Sequence, residues 1–450
     1  MTVSSGGEPP VFKSVAPKLG LVTAFDGMRG IGVMMVLIGH ALFRLVESWV
    51  TIVDTFFVIS GFLITTLLLQ EVRTTGTIKL KKFYMRRAVR LFPSVWLFVG
   101  VWLVLGVIGE LAGIEGISLR GIAEDGAAAV FYIYHLVFPN GLSVIEPAVQ
   151  ENRYMWHLWT LSVEEWFYAV IAGTVLVCVK RRWVAQLGIL MIAGFVAVGV
   201  ARWFAFTGFF QDDEHMIAGV RLALLQRPDA LMLGVALACA NAYVTEERAQ
   251  RWRSKLLIAI NISVAVWLLM LNLSSGWLQK LGGPYFDYLP GGPSDFNRTE
   301  MMNHMYWFRF GHTLGALAMA FMIIGMVRYR EWWLAKVLSW NPLQWIGRLS
   351  YTLYIWHALP FLIIAAVTGG AEASTTVELL RTPVMIAAAV AVSMPVYYKV
   401  ELRVLKMKLR FSSEKEALDL RTGKMINVAE HLAAEDKASG DKAAEGRAES

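Results

Sequence analysis

The sequence predicts an all-α, polytopic integral membrane protein with about ten transmembrane helices. An interfacial or re-entrant helix is expected near residues 121–138. Three observations carry this. Apolar residues make up 56 % of the 450 and charged residues only 17 %, where a soluble domain holds about a quarter. Apolar runs of about 15 to 25 residues recur along the chain, the length demanded by a hydrocarbon core of about 30 Å. Lys and Arg concentrate in alternate connections, as they do when basic loops stay on one side of a bilayer. The net charge of +7 therefore reads as a membrane orientation signal, not as a nucleic-acid surface.

Residues 1–20 are polar and mixed, so a cytoplasmic N-terminal segment is expected, with no cleavable signal peptide. A transmembrane domain over 21–405 follows. Its spans are expected near 26–45, 51–70, 93–112, 158–179, 183–207, 229–243, 255–273, 309–327, 345–367 and 383–400. Lys79, Lys81, Lys82, Arg86, Arg87 and Arg90 follow the second span. Lys180, Arg181 and Arg182 follow the fourth, Arg248, Arg251, Arg253 and Lys255 the sixth, and Arg328, Arg330 and Lys336 the eighth. Both termini then face the cytoplasm, in a plasma or inner membrane. The opposite connections, 113–156, 208–228 and 274–308, are longer and poorer in cations. The last is rich in Gly, Pro, Asp and Asn and is expected as a turn-rich loop or lid. The run 121–138 holds Glu124, Asp125 and His135, which argues against an eleventh span. Trp332, Trp333, Trp340 and Trp345, among 17 tryptophans, cluster where an aromatic belt would sit. Residues 406–450 form a polar cytoplasmic tail, with a short amphipathic helix expected over 413–433 and disorder beyond. Cys178 and Cys239 fall within spans, so no disulfide is implied.

Arg29 and His40 are the two polar residues of one apolar stretch and have ten residues between them. On a helix they stand roughly 16 Å apart and close to three turns apart, so they share one face. A lone intramembrane His is as easily a packed core residue. The paired Arg29 favours a general base at His40, taking a proton from an attacking hydroxyl. Arg86, Arg87 and Arg90 open the third span. They read either as a positive-inside cluster or, with Arg29, as a clamp for the phosphates of a polyanionic cofactor. Asp54 opens the second span, close in sequence to His40. It reads as a rim charge or as a group that orients the imidazole. Glu164 and Glu165 begin the fourth span. They suit the helix dipole, or place one carboxylate in the site, and Glu164 is taken as the candidate. Ser60-Gly61 invites close helix packing. His357 reads first as a core histidine and second as a support of the site, and His304 and His312 rank lower. The eight histidines show no metal-type spacing, so no metal is expected.

These stretches resemble the acyltransferase-3 family of O-antigen acetylase-like membrane acyltransferases. The matching blocks run in order: Phe25-Asp26-Gly27-Met28-Arg29-Gly30 leading to His40, then Val53-Asp54-Thr55-Phe56-Phe57 to Gly61-Phe62. Next come Phe83-Tyr84-Met85-Arg86-Arg87 with Arg90 and Pro93, and His157-Leu158-Trp159 to Tyr168. Arg227-Pro228-Asp229 to Gly234, Trp345-Ile346-Gly347-Arg348 to Trp356-His357, and Lys399-Val400-Glu401 complete the set, over about residues 20–405. Two departures stand out: Thr51-Ile52 where a glycine usually precedes the aspartate, and Leu402 where a proline usually follows the glutamate.

The resemblance implies transfer of an acyl group, most often acetyl from acetyl-CoA, to a hydroxyl of a sugar, glycolipid or polysaccharide. The acyl-CoA would bind at the cytoplasmic face, with Arg29, Arg87 and Arg90 near its phosphates and the thioester reaching toward His40. The acceptor would approach from the exoplasmic side. Direct transfer and an acyl-enzyme both stay open. The competing class is a transporter or flippase of a lipid-linked glycan, which would show Gly/Pro-interrupted spans in symmetric halves; none are found. A membrane glycosyltransferase would need acidic residues in a sizeable first outer loop, where residues 44–50 hold only Glu47. A glycerolipid acyltransferase would place an aspartate at Leu45.

Overall fold

A computed structural model describes residues 11–42, 45–114, 116–137, 153–205, 226–283, 306–370 and 373–405, with short stretches between 411 and 434. The chain is all-α through the expected membrane domain. Its main helices are α1 (Thr23–Ala41), α2 (Ile52–Thr75), α3 (Leu80–Leu111), α4 (Leu119–Val130), α5 (Trp159–Arg181) and α6 (Val184–Ala205). They continue with α7 (Pro228–Ala242), α8 (Arg253–Asn272), α9 (Tyr306–Arg328), α10 (Asn341–Trp356), α11 (Ala358–Val367) and α12 (Thr375–Val396). Among the described residues, seven helices are long and apolar enough to cross a bilayer, or eight when the bent pair α10–α11 counts as one span. With α1 and the shorter α7, all ten expected segments are helical, and the protein is a multi-pass membrane protein.

Three elements differ from expectation. α3 starts at Leu80, well before the expected 93, and runs for 32 residues. At about 1.5 Å per residue it is longer than a hydrocarbon core is thick, so its basic first turns extend beyond the apolar layer. The span at 345–367 is broken: α10 and α11 meet at His357 with a bend of 57°. Pro360 supplies no N–H for the Trp356 carbonyl one turn earlier, which removes a rung at this bend. In the tail, Glu416–Leu418 pairs antiparallel with Met425–Asn427, where an amphipathic helix was expected. Gly423, between the two segments in sequence, interrupts the helical period.

α4 has 12 residues, capped where Ser118 Oγ accepts the Gly121 N–H at 3.1 Å, and is too short to span. Its Asp125 accepts from Arg153 (3.2 Å), the Met155 N–H (3.1 Å) and the Tyr134 hydroxyl (3.2 Å). Burial pushes this carboxyl up to about 6 against those donors. Residues 11–20 lie across the end of the bundle that carries the basic connections. The Phe12 N–H donates to the Val179 carbonyl, the Val15 N–H to that of Ala242, Arg73 to that of Ala16, and Arg330 to that of Leu19. The expected lid at 274–308 lies outside the described residues from 284 to 305, as does His304.

The centre of the bundle depends on small residues. α7 is buried along most of its length, with Ala230, Leu231, Val235 and Cys239 at most 1 % exposed. It lies against α2, where a Cβ at Gly234 would collide with the Val58 carbonyl and one at Gly61 with the Leu231 carbonyl. α6 covers α7 and presents Ile189 and Leu190 outward, as suits lipid contact. Arg202 of α6 grips Asp229 of α7 through two hydrogen bonds of 2.6 and 3.0 Å and donates to Thr313 Oγ1 of α9 at 2.8 Å. One buried guanidinium thus joins three helices.

Gly234→Val is expected to lower thermal stability in detergent, by about 1–3 kcal/mol as for other overpacked sites. Gly39→Ala, where an added Cβ meets nothing within 4 Å, leaves the melting temperature unchanged in the same assay. Asp229→Ala leaves Arg202 buried without its carboxylate and is expected to cost about 3–5 kcal/mol. The double variant Arg202→Met, Asp229→Leu recovers most of that loss, measured as the temperature at which the monodisperse detergent peak is lost.

Candidate active site

α1 carries both ends of the site. Its glycines let it lie backbone to backbone with α10: a Cβ at Gly27 would strike the Leu338 carbonyl just before α10, one at Gly30 the Leu343 carbonyl, and one at Gly347 the Asp26 carbonyl. Thr23 Oγ1 and Ser339 Oγ are 2.8 Å apart at the start of this seam. At its far end His40 meets His357.

His40 Nδ1 and His357 Nε2 are 2.8 Å apart, and the rings stack with centroids at 5.0 Å. Trp156 sets its ring edge-on to His40 at 4.7 Å, and Phe361 does the same to His357 at 5.4 Å. His357 Nδ1 lies 2.7 Å from the Tyr354 carbonyl oxygen. His157 completes the group. Its ring centroid is 5.0 Å from that of His357, and its Nε2 donates to the Ile355 carbonyl at 3.0 Å. The Tyr354 hydroxyl bonds the Thr160 hydroxyl at 2.7 Å and the His157 carbonyl, tying α10 to the start of α5. His357 is thus a partner of His40 and not a bystander in the core.

About 16 Å along α1, on the side of the basic connections, lies Arg29. Arg90, Glu164, Asp26 and Tyr168 are within its electrostatic neighbourhood, and Arg87 shares Glu164 with it. Glu164 accepts the Ser60 hydroxyl proton at 2.7 Å. Arg87 pairs with Glu165 at 3.3 Å and lies 3.4 Å above the centre of the Tyr168 ring. Glu401, which accepts from Thr352, lies in the field of both Arg29 and Arg90. Neither Arg29 nor Arg90 hydrogen-bonds a protein acceptor among the described residues, so their donor forks remain available. Three of the four expected arginines therefore converge. The fourth, Arg86, is turned to Glu71 of α2 at 3.2 Å and to the Phe411 carbonyl at 2.9 Å. It braces α2 and α3 outside the cluster. Arg348 of α10, beside Asp26, is a further cation that the sequence reading had not taken as a binding group.

Asp54 is directed elsewhere than expected. Its Oδ2 is 2.6 Å from His312 Nδ1 of α9, and its Oδ1 is 4.0 Å from Arg227 Nε. It sits in the first turn of α2, on the face toward α7 and α9. The group oriented by Asp54 is His312, and the group beside His40 is His357. Glu164 and Glu165 both join the arginine cluster, where one alone had been expected to face the site. Among the described residues no group of His, Cys, Asp and Glu is arranged to hold a metal ion.

Residues 22–398 match the family model described as an acyltransferase domain of the acyltransferase-3 type. A Staphylococcus aureus (strain COL) protein named "Putative O-acetyltransferase" is 28 % identical over 358 residues, which cover 76 % of this chain and 50 % of the relative. The peptidoglycan O-acetyltransferase OatA of Listeria monocytogenes is 26 % identical over 346 residues, 75 % of this chain and 49 % of the relative. The O-acetyltransferase OatA of Staphylococcus aureus (strain NCTC 8325 / PS 47) is 26 % identical over 340 residues, covering 74 % and 49 %. The chain spans about half the length of these relatives. No solved structure matches it. With the matched segment covering both the arginine cluster and the histidine group, the chain belongs to the acyltransferase-3 family.

Proposed function

We propose that this protein is an O-acyltransferase that moves an acetyl group from acetyl-CoA to a hydroxyl of a sugar, glycolipid or cell-envelope glycan. The observation that carries the reading is the geometry of α1. One end stands among arginines with unspent donors, and the other holds an imidazole at the broken span, about 16 Å away. An anionic donor suits the first end, because guanidinium forks grip phosphate oxygens bidentately. A hydroxyl acceptor suits the second, because an imidazole is the side chain best matched to accept its proton.

The basic connections lie at the arginine end, so this end faces the cytoplasm, where acyl-CoA is found, and both termini lie on that side. The membrane domain is 21–405, and residues 1–20 and 406–450 flank it. Arg29, Arg87 and Arg90 take the donor phosphates, with Arg348 as a fourth cation nearby. Glu164 and Glu165 balance and hold these arginines. Asp54, through His312 and Arg227, fixes α2 against α9 behind the site. His40 removes the hydroxyl proton as the oxygen attacks the thioester carbonyl carbon, and the carbon–sulfur bond breaks. The proton then passes to the departing thiolate, giving ester and free CoA thiol. This direct route needs one base and one aligned pair of reactants. The relatives named for O-acetyl transfer, one of them to peptidoglycan, support a glycan as the acceptor class.

The test is acetyl-CoA turnover and transfer to glycan hydroxyls by the purified protein in liposomes. His40→Ala is expected to lose about 10²–10⁴-fold in kcat while keeping its melting temperature. Arg29→Ala is expected to raise KM for acetyl-CoA with a smaller effect on kcat. A wild type that neither binds nor consumes any acyl-CoA overturns the reading.

A further inference from the structure

The hydrogen bonds at the elbow between α10 and α11 form a chain whose direction can be worked out. The Tyr354 carbonyl can only accept, so His357 Nδ1, 2.7 Å away, carries the proton. A neutral imidazole has one N–H, so His357 Nε2 presents a lone pair. That lone pair faces His40 Nδ1 at 2.8 Å, and His40 must therefore donate from Nδ1. The proton on Nδ1 leaves His40 Nε2 as the acceptor atom. The reverse direction would require His357 as an imidazolium. His357 is 1 % exposed, and among the described residues neither it, His40 nor His157 hydrogen-bonds a carboxylate. A charge buried there without compensation is costly.

Packing holds the chain in this direction. Pro360 helps break the span at His357, placing the imidazole at the bend and aiming it across at the last turn of α1. Trp156 and Phe361 wall the two rings edge-on. The carbonyl that begins the chain belongs to Tyr354, whose hydroxyl is anchored to Thr160 and to the His157 carbonyl.

We propose that His357 is the positioning residue of the transfer reaction: by accepting the Nδ1–H of His40 it fixes the His40 tautomer and reserves Nε2 for the acceptor hydroxyl. This rests on the reading of His40 as the base. When Nε2 takes the hydroxyl proton, His40 becomes an imidazolium whose Nδ1–H already points at the His357 lone pair. The new charge is then spread along the hydrogen-bonded chain toward the Tyr354 carbonyl. When the thiolate leaves, the same Nε2 proton goes to sulfur and the resting tautomer returns. His357 itself gains and loses no proton.

The full chain, labelled with ¹⁵N-histidine and reconstituted in nanodiscs, gives a direct reading. The wild-type His40 resonances, identified by their loss in His40→Gln, are expected to show a protonated Nδ1 and an unprotonated Nε2. In His357→Ala the proton is expected to move to Nε2. kcat then falls by at least about 10²-fold, the lower range for loss of a general base, with KM for acetyl-CoA unchanged. His357→Gln keeps an acceptor oxygen and is expected to retain the Nδ1–H tautomer and recover most of kcat. A role in packing alone would show no such dependence on an acceptor atom. Wild-type His40 with its proton on Nε2, or His357→Ala with wild-type kcat, overturns this proposal while leaving acyl transfer standing. A wild type inert toward acetyl-CoA overturns both.

Discussion

The seam between α1 and α10 sets the rest of the site. The two helices run parallel, because their contacts advance together from Thr23–Ser339 through Asp26–Gly347 to His40–His357. Glycines at 27, 30 and 347 bring the backbones close enough for carbonyls to occupy the space of missing side chains. In a bilayer no hydrophobic force drives helices together, so close van der Waals approach carries much of the association. The same approach decides where polar groups meet. A wider seam would separate His40 from His357, and a shifted one would move Arg29 relative to Arg348. Register at the glycines and geometry at the histidines are therefore one constraint.

The charges of the interior fall into two kinds. Arg202 and Asp229 satisfy each other through a bidentate pair, with Thr313 taking a further donor, and Asp54 is closed off by His312. The Arg202–Asp229–Thr313 group acts as a joint between α6, α7 and α9. The arginine cluster is different. Arg87 is paired with Glu165 and stacked on Tyr168, yet Arg29 and Arg90 face Glu164 and Glu401 at a distance without a hydrogen bond among the described residues. Guanidinium donors in a partly buried setting are expensive to keep without acceptors.

What the sequence made legible follows from where the information lies. The spans were readable because their apolar runs are local, and the Arg29–His40 relation because both residues ride on one helix. The expected start at 93 marked only the apolar run of the third span, and Arg86, Arg87 and Arg90 ride on the same helix ahead of it. Asp54 was assigned to His40 from nearness in sequence. The first turn of α2 presents it toward α7 and α9 instead, and its partner His312 is 258 positions away. His357 is 317 positions from His40, and no periodicity links them. Pro360 was a local hint that a span breaks there, but a break alone does not name the helix on which it closes.

If His40 is the base, as proposed, a neutral relay behind it suits work inside a membrane. A carboxylate in that place would orient the imidazole equally well, but it would carry a full charge in the resting state, in a medium where burying one is costly. The chain from His40 through His357 to the Tyr354 carbonyl fixes the same tautomer with no resting charge. Charge appears only while the proton is on Nε2, when the aligned dipoles can stabilise it without having to reorganise. The carboxylates are instead kept where cations already stand: Glu164, Glu165 and Glu401 among the arginines, and Asp229 against Arg202. Among the described residues these carboxylates thus stand where cations balance them, and in the proposed reaction the His40 end of α1 is neutral until it takes the proton.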